Sequence, residues 1–348
     1  MKGFAVRSAG VSEIGRVRET NEDCVLLLDQ AGRGAALYAV ADGLGGHAAG
    51  SLASTLAVAT LRGEVPALLA RRMPPQEALA FGLRRANAVI REHAAEPEHS
   101  GMATTCTAMI LGGRDCILAH VGDSRAYLIR GLTARQLTTD HSLVQELVRH
   151  GGLKPADAGI HAQRHVLTRA LGMDDDVQID VLSLPLRAGD FLVLTSDGLH
   201  TAVAPDEIAA VLRGTPDLGE ACRILTGLAN ARGGLDNASV IAVRVRPRWI
   251  DRVARIAAPL LLAALIAAGI GTYRLEHAYF LGIHGTQVAI VRGIPARILG
   301  VPLFAVFKVT AVPVAQIAPA YRGRLQDGIP VQSPDDAESL LQDLLHRP

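Results

Sequence analysis

The stretch Leu37–Gly50, LYAVADGLGGHAAG, constrains the fold more than any other part of this chain. Its apolar start, Leu37-Tyr38-Ala39-Val40, has strand character. It ends in a carboxylate, Asp42, followed at once by Gly43, Gly45 and Gly46, and a small-residue helix pattern then runs from Ala48 to Ala59. A strand that releases an Asp into a glycine turn puts charge at the rim of a sheet, and the glycines let backbone groups approach whatever that Asp holds. Taken alone, the stretch reads equally well as a turn in which Asp42 caps the next helix. The arrangement recurs, however. Gly122–Tyr127, GDSRAY, follows the apolar run Ile117–Val121 and carries Asp123, although a β-hairpin turn is the simpler reading of that piece. Phe191–Leu199, FLVLTSDGL, delivers Asp197-Gly198, and Gly233–Val243, GGLDNASVIAV, sets Asp236-Asn237 just before another apolar strand. Four strand-side carboxylates, three of them beside a glycine, point to convergence on one site.

Converging carboxylates repel one another and are costly to hold together unless a cation neutralises them. All-oxygen ligands select hard ions such as Mg²⁺ or Mn²⁺, whereas zinc calls for His or Cys at spacings this chain lacks. Two such ions about 4 Å apart can share a water and lower its pKa, which makes it a nucleophile at neutral pH. An Arg beside them can hold a phosphoryl group by two parallel hydrogen bonds. Ser12–Asp23, SEIGRVRETNED, supplies such a mixture, with Arg18 close before Glu22 and Asp23, although surface salt bridging explains most mixtures of this kind. The chemistry that fits is phosphoester hydrolysis by in-line attack. No Walker loop is present and no cysteine sits in a phosphate loop, which argues against ATP hydrolysis and a cysteine phosphatase.

Apolar runs at Val25–Leu28, Leu37–Ala41, Thr104–Leu111, Cys116–His120, Ala126–Ile129, Phe191–Thr195 and Val240–Val245 predict strands. Ala48–Arg62, Pro75–Glu92, Leu143–Arg149, Pro205–Leu212 and Leu218–Ala231 predict helices. The helices come in pairs between groups of strands. That order argues for an α+β fold with antiparallel sheets covered by helices over a doubly wound parallel sheet. GMATTCT at 101–107 reads as core. Lys+Arg 35 against Asp+Glu 34 gives no general attraction to nucleic acid. Cys24, Cys106, Cys116 and Cys222 share no ligand spacing, lie in apolar or small-residue runs and read as reduced core thiols of a cytosolic region. The first ten residues hold no apolar segment of a secretory signal.

Ile256–Tyr273, IAAPLLLAALIAAGIGTY, is 18 residues without a charge or a polar face and reads as one membrane span. Arg244, Arg246, Arg248, Arg252 and Arg255 crowd its N-terminal side, and only Arg274 follows closely. This bias places residues 1–255 in the cytoplasm and the tail outside. Trp249 and Tyr273 stand where interfacial anchors belong. The expected divisions are 1–246 as the first domain, 247–255 as a basic linker, 256–273 as the span and 274–348 as a small outer region. In the last of these, Gln287–Arg292 and Leu303–Val309 read as strands of a module or tether.

SEIGRVRETNED, YAVADGLGGHAAG, GMATTCTA, VGDSRAYLIR, LTTDHSLVQELV, LTRALG, VLTSDGL and GLDNASVIAV resemble, in order, the motifs of the bacterial metal-dependent type 2C serine/threonine protein phosphatases (the PPM family). The resemblance covers nearly all of residues 1–246. It implies two stacked antiparallel sheets with helix pairs outside, two or three Mn²⁺ or Mg²⁺ ions, and hydrolysis of phosphoserine and phosphothreonine by a metal-bridged hydroxide. By the same resemblance Asp42 bridges two ions and Gly43 offers its carbonyl to one. Asp197 and Asp236 complete the first ion, Asp123 holds a third with Asp197, and Arg18 receives the substrate phosphate. Glu22 and Asp23 act at the edge through waters, and about 142–164 forms a mobile flap. Leu44 stands where some members carry a His proposed as general acid, and His47 is given no role. The layout is similar to that of membrane-anchored actinobacterial phosphatases, which oppose membrane Ser/Thr kinases. A catalytically silent phosphoprotein-binding module would show a missing cluster Asp, and none is missing. A metal phosphoesterase for small substrates stays open.

Overall fold

The computed structural model describes residues 4–298 and 300–346, with the side chains of His47, of 248–252 (Trp249 and the basic Arg248 and Arg252 among them), of Ala254 and Arg255, and of Ile298 outside the described set. The chain divides into two units, Met1–Ile250 and Asp251–Pro348. In the first, β1 (Phe4–Glu13), β2 (Asp23–Gly32) and β3 (Ala35–Leu44) lead into α1 (His47–Ala70) and α2 (Pro75–Ala94). Then come β4 (Ala103–Thr104), β5 (Cys106–Gly112), β6 (Asp115–Val121), β7 (Arg125–Arg130), β8 (Thr133–Gln136) and the short helix α3 (Leu143–Arg149). The unit closes with β9 (Asp180–Pro185), β10 (Phe191–Thr195), α4 (Asp197–His200), α5 (Pro205–Gly214), α6 (Leu218–Ala231) and β11 (Ala238–Pro247).

Two antiparallel sheets result, one in the order β1-β11-β10-β7-β8 and the other β2-β3-β5-β6-β9, with β4 added beside β3. Strand periodicity shows how they stack. Along β3, Ala36, Tyr38 and Val40 enter a core shared with Ile241 and Val243 of β11, between the sheets. Leu37, Ala39 and Ala41 point the other way, into a core with Leu61, Leu79 and Leu83 of α1 and α2. On the far side Val240 and Ala242 of β11 pack against Ile208 and Leu225 of α5 and α6. Both faces of the central strands are covered, which is why they read as continuous apolar runs without alternation. This is the expected α+β sandwich. Replacing Leu83, fully buried between helix and sheet, by Ala removes about 2–5 kcal/mol of packing.

The structure extends the sequence reading in three places. In the first unit the strands not anticipated, β1, β8 and β9, all lie at sheet edges, where one flank is open and the apolar run is diluted. Helix α1 continues past Arg62 through Pro66 to Ala70. The bond lost at Pro66 is offset by Val65, Leu68 and Leu69, buried in the helix-side core. Gly122–Ser124 is not a hairpin turn: β6 belongs to one sheet and β7 to the other, so this turn carries the chain between them.

The second unit begins with most of α7 (Arg248–His277), one continuous helix, so the basic stretch expected as a linker is its first turns from Arg248 on. The window Ile256–His277 has a mean hydropathy of 2.0 and none of it is buried. Part of α1 reaches a mean hydropathy of 1.2, but 39% of that window lies inside the sandwich, as befits a core helix. After α7 come β12 (Tyr279–His284), β13 (Gln287–Ile298), β14 (Val301–Pro313), α8 (Pro319–Asp327), β15 (Ile329–Val331) and α9 (Pro334–His346). The strands form an antiparallel sheet, β14-β13-β12-β15. One face buries Leu281, Val288 and Ile290 against Leu325, Leu341 and Leu344, so the tail is a folded module. The Arg292 side chain donates to the Glu276 carbonyl at 2.7 Å and the Gly293 N–H to the Ala278 carbonyl at 2.8 Å, which ties the sheet to the end of α7.

Candidate metal centre

Asp42 is placed by its backbone. The Thr105 N–H and the Thr104 hydroxyl donate to the Asp42 carbonyl at 2.9 and 2.8 Å, and the Asp42 N–H donates to the Thr105 hydroxyl at 3.0 Å. The core stretch 101–107 therefore grips the end of β3. Gly43 is required by packing: a Cβ there would lie 2.0 Å from the Gly50 carbonyl oxygen, where the first turns of α1 cross the strand. Asp197 follows β10 directly, and a Cβ on Gly198 would lie 2.2 Å from the Asn237 carbonyl oxygen. The two Asp-bearing turns thus fit together only with glycine at that contact. Asn237 donates to the carbonyls of Ile14 and Thr20 and accepts from the Glu22 N–H, stitching Arg18, Glu22 and Asp23 to the turn that holds Asp236.

Arg18, Glu22, Asp42, Gly43, Asp123, Asp197 and Asp236 line one cavity of about 360 Å³, together with Leu44, Gly45, Gly46, His165 and Leu167. Seven of the eight residues singled out from the sequence share this space. The eighth, Asp23, lies behind them, paired directly opposite Asp42 across β2 and β3. Its Oδ2 accepts from the Ser196 hydroxyl at 2.7 Å, and its Oδ1 is buried without a hydrogen-bond partner. A larger cavity, about 600 Å³, opens at the other end of the sandwich, but only Asp29 and Asp115 bring carboxylates to it.

The electrostatics follow from crowding. Burial first, then the charges of Asp23, Asp197, Asp123 and Asp236, raise Asp42 well above the usual carboxylate range. Burial and Asp197 push Asp123 up to about 7, and burial, with Asp197 and Asp236, pushes Asp23 up to about 8. Asp197 is raised by burial and Asp236. Among the described residues no three His, Cys, Asp or Glu side chains, as placed, stand close enough together to hold a metal ion. The acids line the wall of one shared cavity. An all-carboxylate ring, a buried oxygen with no partner and raised proton affinities fit hard divalent cations.

Arg18 is the cation of the cavity. Its guanidinium donates to Asp236 Oδ2 at 2.8 Å, with its side chain 46% exposed toward the opening. Arg125, the other nearby arginine, is forked onto Asp140 at 2.7–3.1 Å and does not reach the cavity. His165 was not anticipated. Its Nδ1 lies 3.9 Å from Asp197 Oδ2, and it immediately follows the stretch 142–164, which contains α3 and a short 3-10 turn at Pro155–Ile160. No residue spacing ties it to the Asp turns; only the path of this long connection brings it in. All four cysteines are free.

The profile of one family, protein phosphatase 2C, matches residues 16–227. The protein phosphatase PhpP of Streptococcus pneumoniae is 36% identical over 235 residues, which span 67% of this chain and 95% of that protein. The crystal structure of the Mycobacterium tuberculosis serine/threonine phosphatase PstP/Ppp superposes with a TM-score of 0.62 at 37% identity, covering 69% of this chain and 99% of that one. The catalytic domain of PstP in complex with two manganese ions superposes with a TM-score of 0.60 at 36% identity, covering 70% and 99%. The chain therefore belongs to the protein phosphatase 2C family of metal-dependent serine/threonine protein phosphatases.

Proposed function

We propose that the carboxylate-lined cavity is where this phosphatase acts, with Asp42, Gly43, Asp123, Asp197 and Asp236 holding two or three Mn²⁺ or Mg²⁺ ions. The observation that carries this reading is the meeting of four acids from four separate turns, with Arg18, around one space. Bound there, the ions supply positive charge against the phosphoryl oxygens and bring the pKa of a water near neutrality. Arg18 binds the substrate phosphate: Asp236 fixes its guanidinium at the cavity wall and leaves part of it open to an incoming group. Glu22 and Asp23 orient waters behind the ligands, and the 142–164 segment beside His165 and Leu167 serves as the flap. Leu44 lends no proton, so none of the residues after the Asp-Gly pair is assigned as acid. The test is turnover of a phosphothreonine peptide by residues 1–246 with Mn²⁺ and with chelator. Equal rates would contradict the metal reading.

The substrates are phosphorylated proteins, and membrane Ser/Thr kinases are the natural opponents of an enzyme tethered as this one is. The exposed apolar face of α7 supports one span at 256–273, with the phosphatase domain (1–246) and basic stretch (247–255) cytoplasmic and the module at 274–348 outside. A reporter fused after Pro348 that is active only outside the cell supports this topology; one active in the cytoplasm overturns it.

A further inference from the structure

The end of the sandwich away from the carboxylates is formed by the starts of β1, β3, β6 and β10 and the last residues of β2, β5 and β11. We propose that this end is a docking face for the anionic phosphate headgroups of a lipid surface, the same membrane that α7 enters; the proposal rests on the single-span reading above. Arg7 and Arg244 stand directly opposite each other across β1 and β11, an arrangement of like charges that destabilises a sheet. Arg246 follows two residues later on the same side of β11, and the three arginines line one cavity of about 410 Å³. Arg213 adds to the group: it and Arg244 both lie over the Phe191 ring, at 5.6 and 5.3 Å.

Arg33 and Arg72 line the neighbouring cavity at this end. They are also the two described non-glycine residues with positive φ, +50° and +68°, a conformation that L side chains rarely adopt. None of Arg7, Arg33, Arg72, Arg244 and Arg246 forms an ion pair among the described residues. Two acids, Asp29 and Asp217, line the same cavity as Arg7, Arg244 and Arg246, and among the described residues neither forms an ion pair with them. Asp29 accepts from the Ser8 and Tyr38 hydroxyls at 2.6 Å each, Asp217 from the Glu220 N–H at 2.8 Å, and Asp190 holds Arg130; Asp115, exposed, lines the neighbouring cavity with Arg33 and Arg72.

Three arginines against two carboxylates leave this cavity with an excess of positive charge, a face suited to an anionic partner. Continuity with the anchor selects lipid over a soluble phosphate or an acidic protein. β11 runs on into α7 at Arg248, and Arg244 lies 12 residues before Ile256, the start of the exposed apolar run. Basic residues this close to a span contribute about 1 kcal/mol each at an anionic surface, and the tether keeps the face within reach. Docking this end turns the carboxylate cavity, at the opposite ends of the same strands, toward the aqueous side where phosphorylated segments of substrates lie.

The test is co-sedimentation of residues 1–247 with vesicles of pure phosphatidylcholine and of phosphatidylcholine with phosphatidylglycerol. This piece has its own core, and the PstP chain that it matches is an isolated catalytic domain. Binding is expected only to the anionic vesicles and is expected to weaken as salt is raised from about 0.1 to 0.5 M. The triple variant Arg7→Ala/Arg244→Ala/Arg246→Ala should bind on the order of 100-fold more weakly, with unchanged turnover of a small phosphate ester. The corresponding triple Lys variant, which keeps the charge, should retain binding. Equal binding to both vesicle types, or anionic binding unaffected by the Ala changes, overturns the docking face. Extraction of the full chain from membranes by alkaline carbonate would instead overturn the span, a result independent of the vesicle assay.

Discussion

At one end of the sandwich β3, β10 and the turn before β11 release Asp42, Asp197 and Asp236 into a shared cavity. At the other, β1 and β11 carry Arg7, Arg244 and Arg246 over an open face. The two ends of the sandwich thus carry opposite charge, although the whole chain is nearly neutral. The two groups differ in cost. The acids are partly or wholly withdrawn from water and raise one another's proton affinity. The arginines at the far end stay solvated, where like charges cost little. A fold keeps the first arrangement only if a counter-charge arrives, which is what a metal-dependent enzyme requires. It can keep the second for the modest return of a surface contact.

The contrast can be broken at several points, in order of expected effect. Asp42→Asn should lower turnover by about 1,000-fold or more, since losing several kcal/mol of metal-derived stabilisation removes a factor of ten per 1.4 kcal/mol. In the chelated state the same substitution should raise the unfolding midpoint, because it deletes a buried charge among four others. A fall in both activity and metal-free stability would mean that Asp42 is only a packing residue. Mn²⁺ should stabilise residues 1–246 in a concentration-dependent way, by about 2.7 kcal/mol at 100 times its dissociation constant, and thermal melts at several Mn²⁺ concentrations would read this directly. Arg18→Ala should cost about 10- to 100-fold in kcat/KM, the range of a lost hydrogen bond to a charged group, chiefly through KM. Arg18→Lys should recover part of that loss but not the two-pronged fit. The smallest effect belongs to the other end: Arg7→Thr, which relieves the pair with Arg244, should stabilise the domain by about 0.2–1 kcal/mol in urea unfolding, with no change in turnover.

The comparison also explains what could be read from the residues. Interior strands such as β3, β5 and β10 were legible because burial on both faces leaves continuous apolar runs. The edge strands β1, β8 and β9 were not, because their open flank admits Arg7, Arg135 and Asp180. The carboxylate cluster was legible because each acid sits at or beside one end of a strand, a position fixed by local pattern alone. His165 was invisible for the opposite reason: its place beside Asp197 depends on the path of a long irregular connection. Helix α1 runs beyond the end expected at Arg62, since Val65, Leu68 and Leu69 hold it in place on either side of Pro66. The arginine face could not be seen either. Arg7 and Arg244 are far apart in the chain, and only the β1–β11 register sets them opposite each other.

The most direct test of the central claim is anomalous diffraction at the manganese edge from crystals of residues 1–246 grown with Mn²⁺. The predicted result is at least two anomalous peaks inside the ring of Asp42, Asp123, Asp197 and Asp236, lost in the Asp42→Asn variant. Peaks elsewhere on the surface, or an empty ring at saturating Mn²⁺, would contradict it.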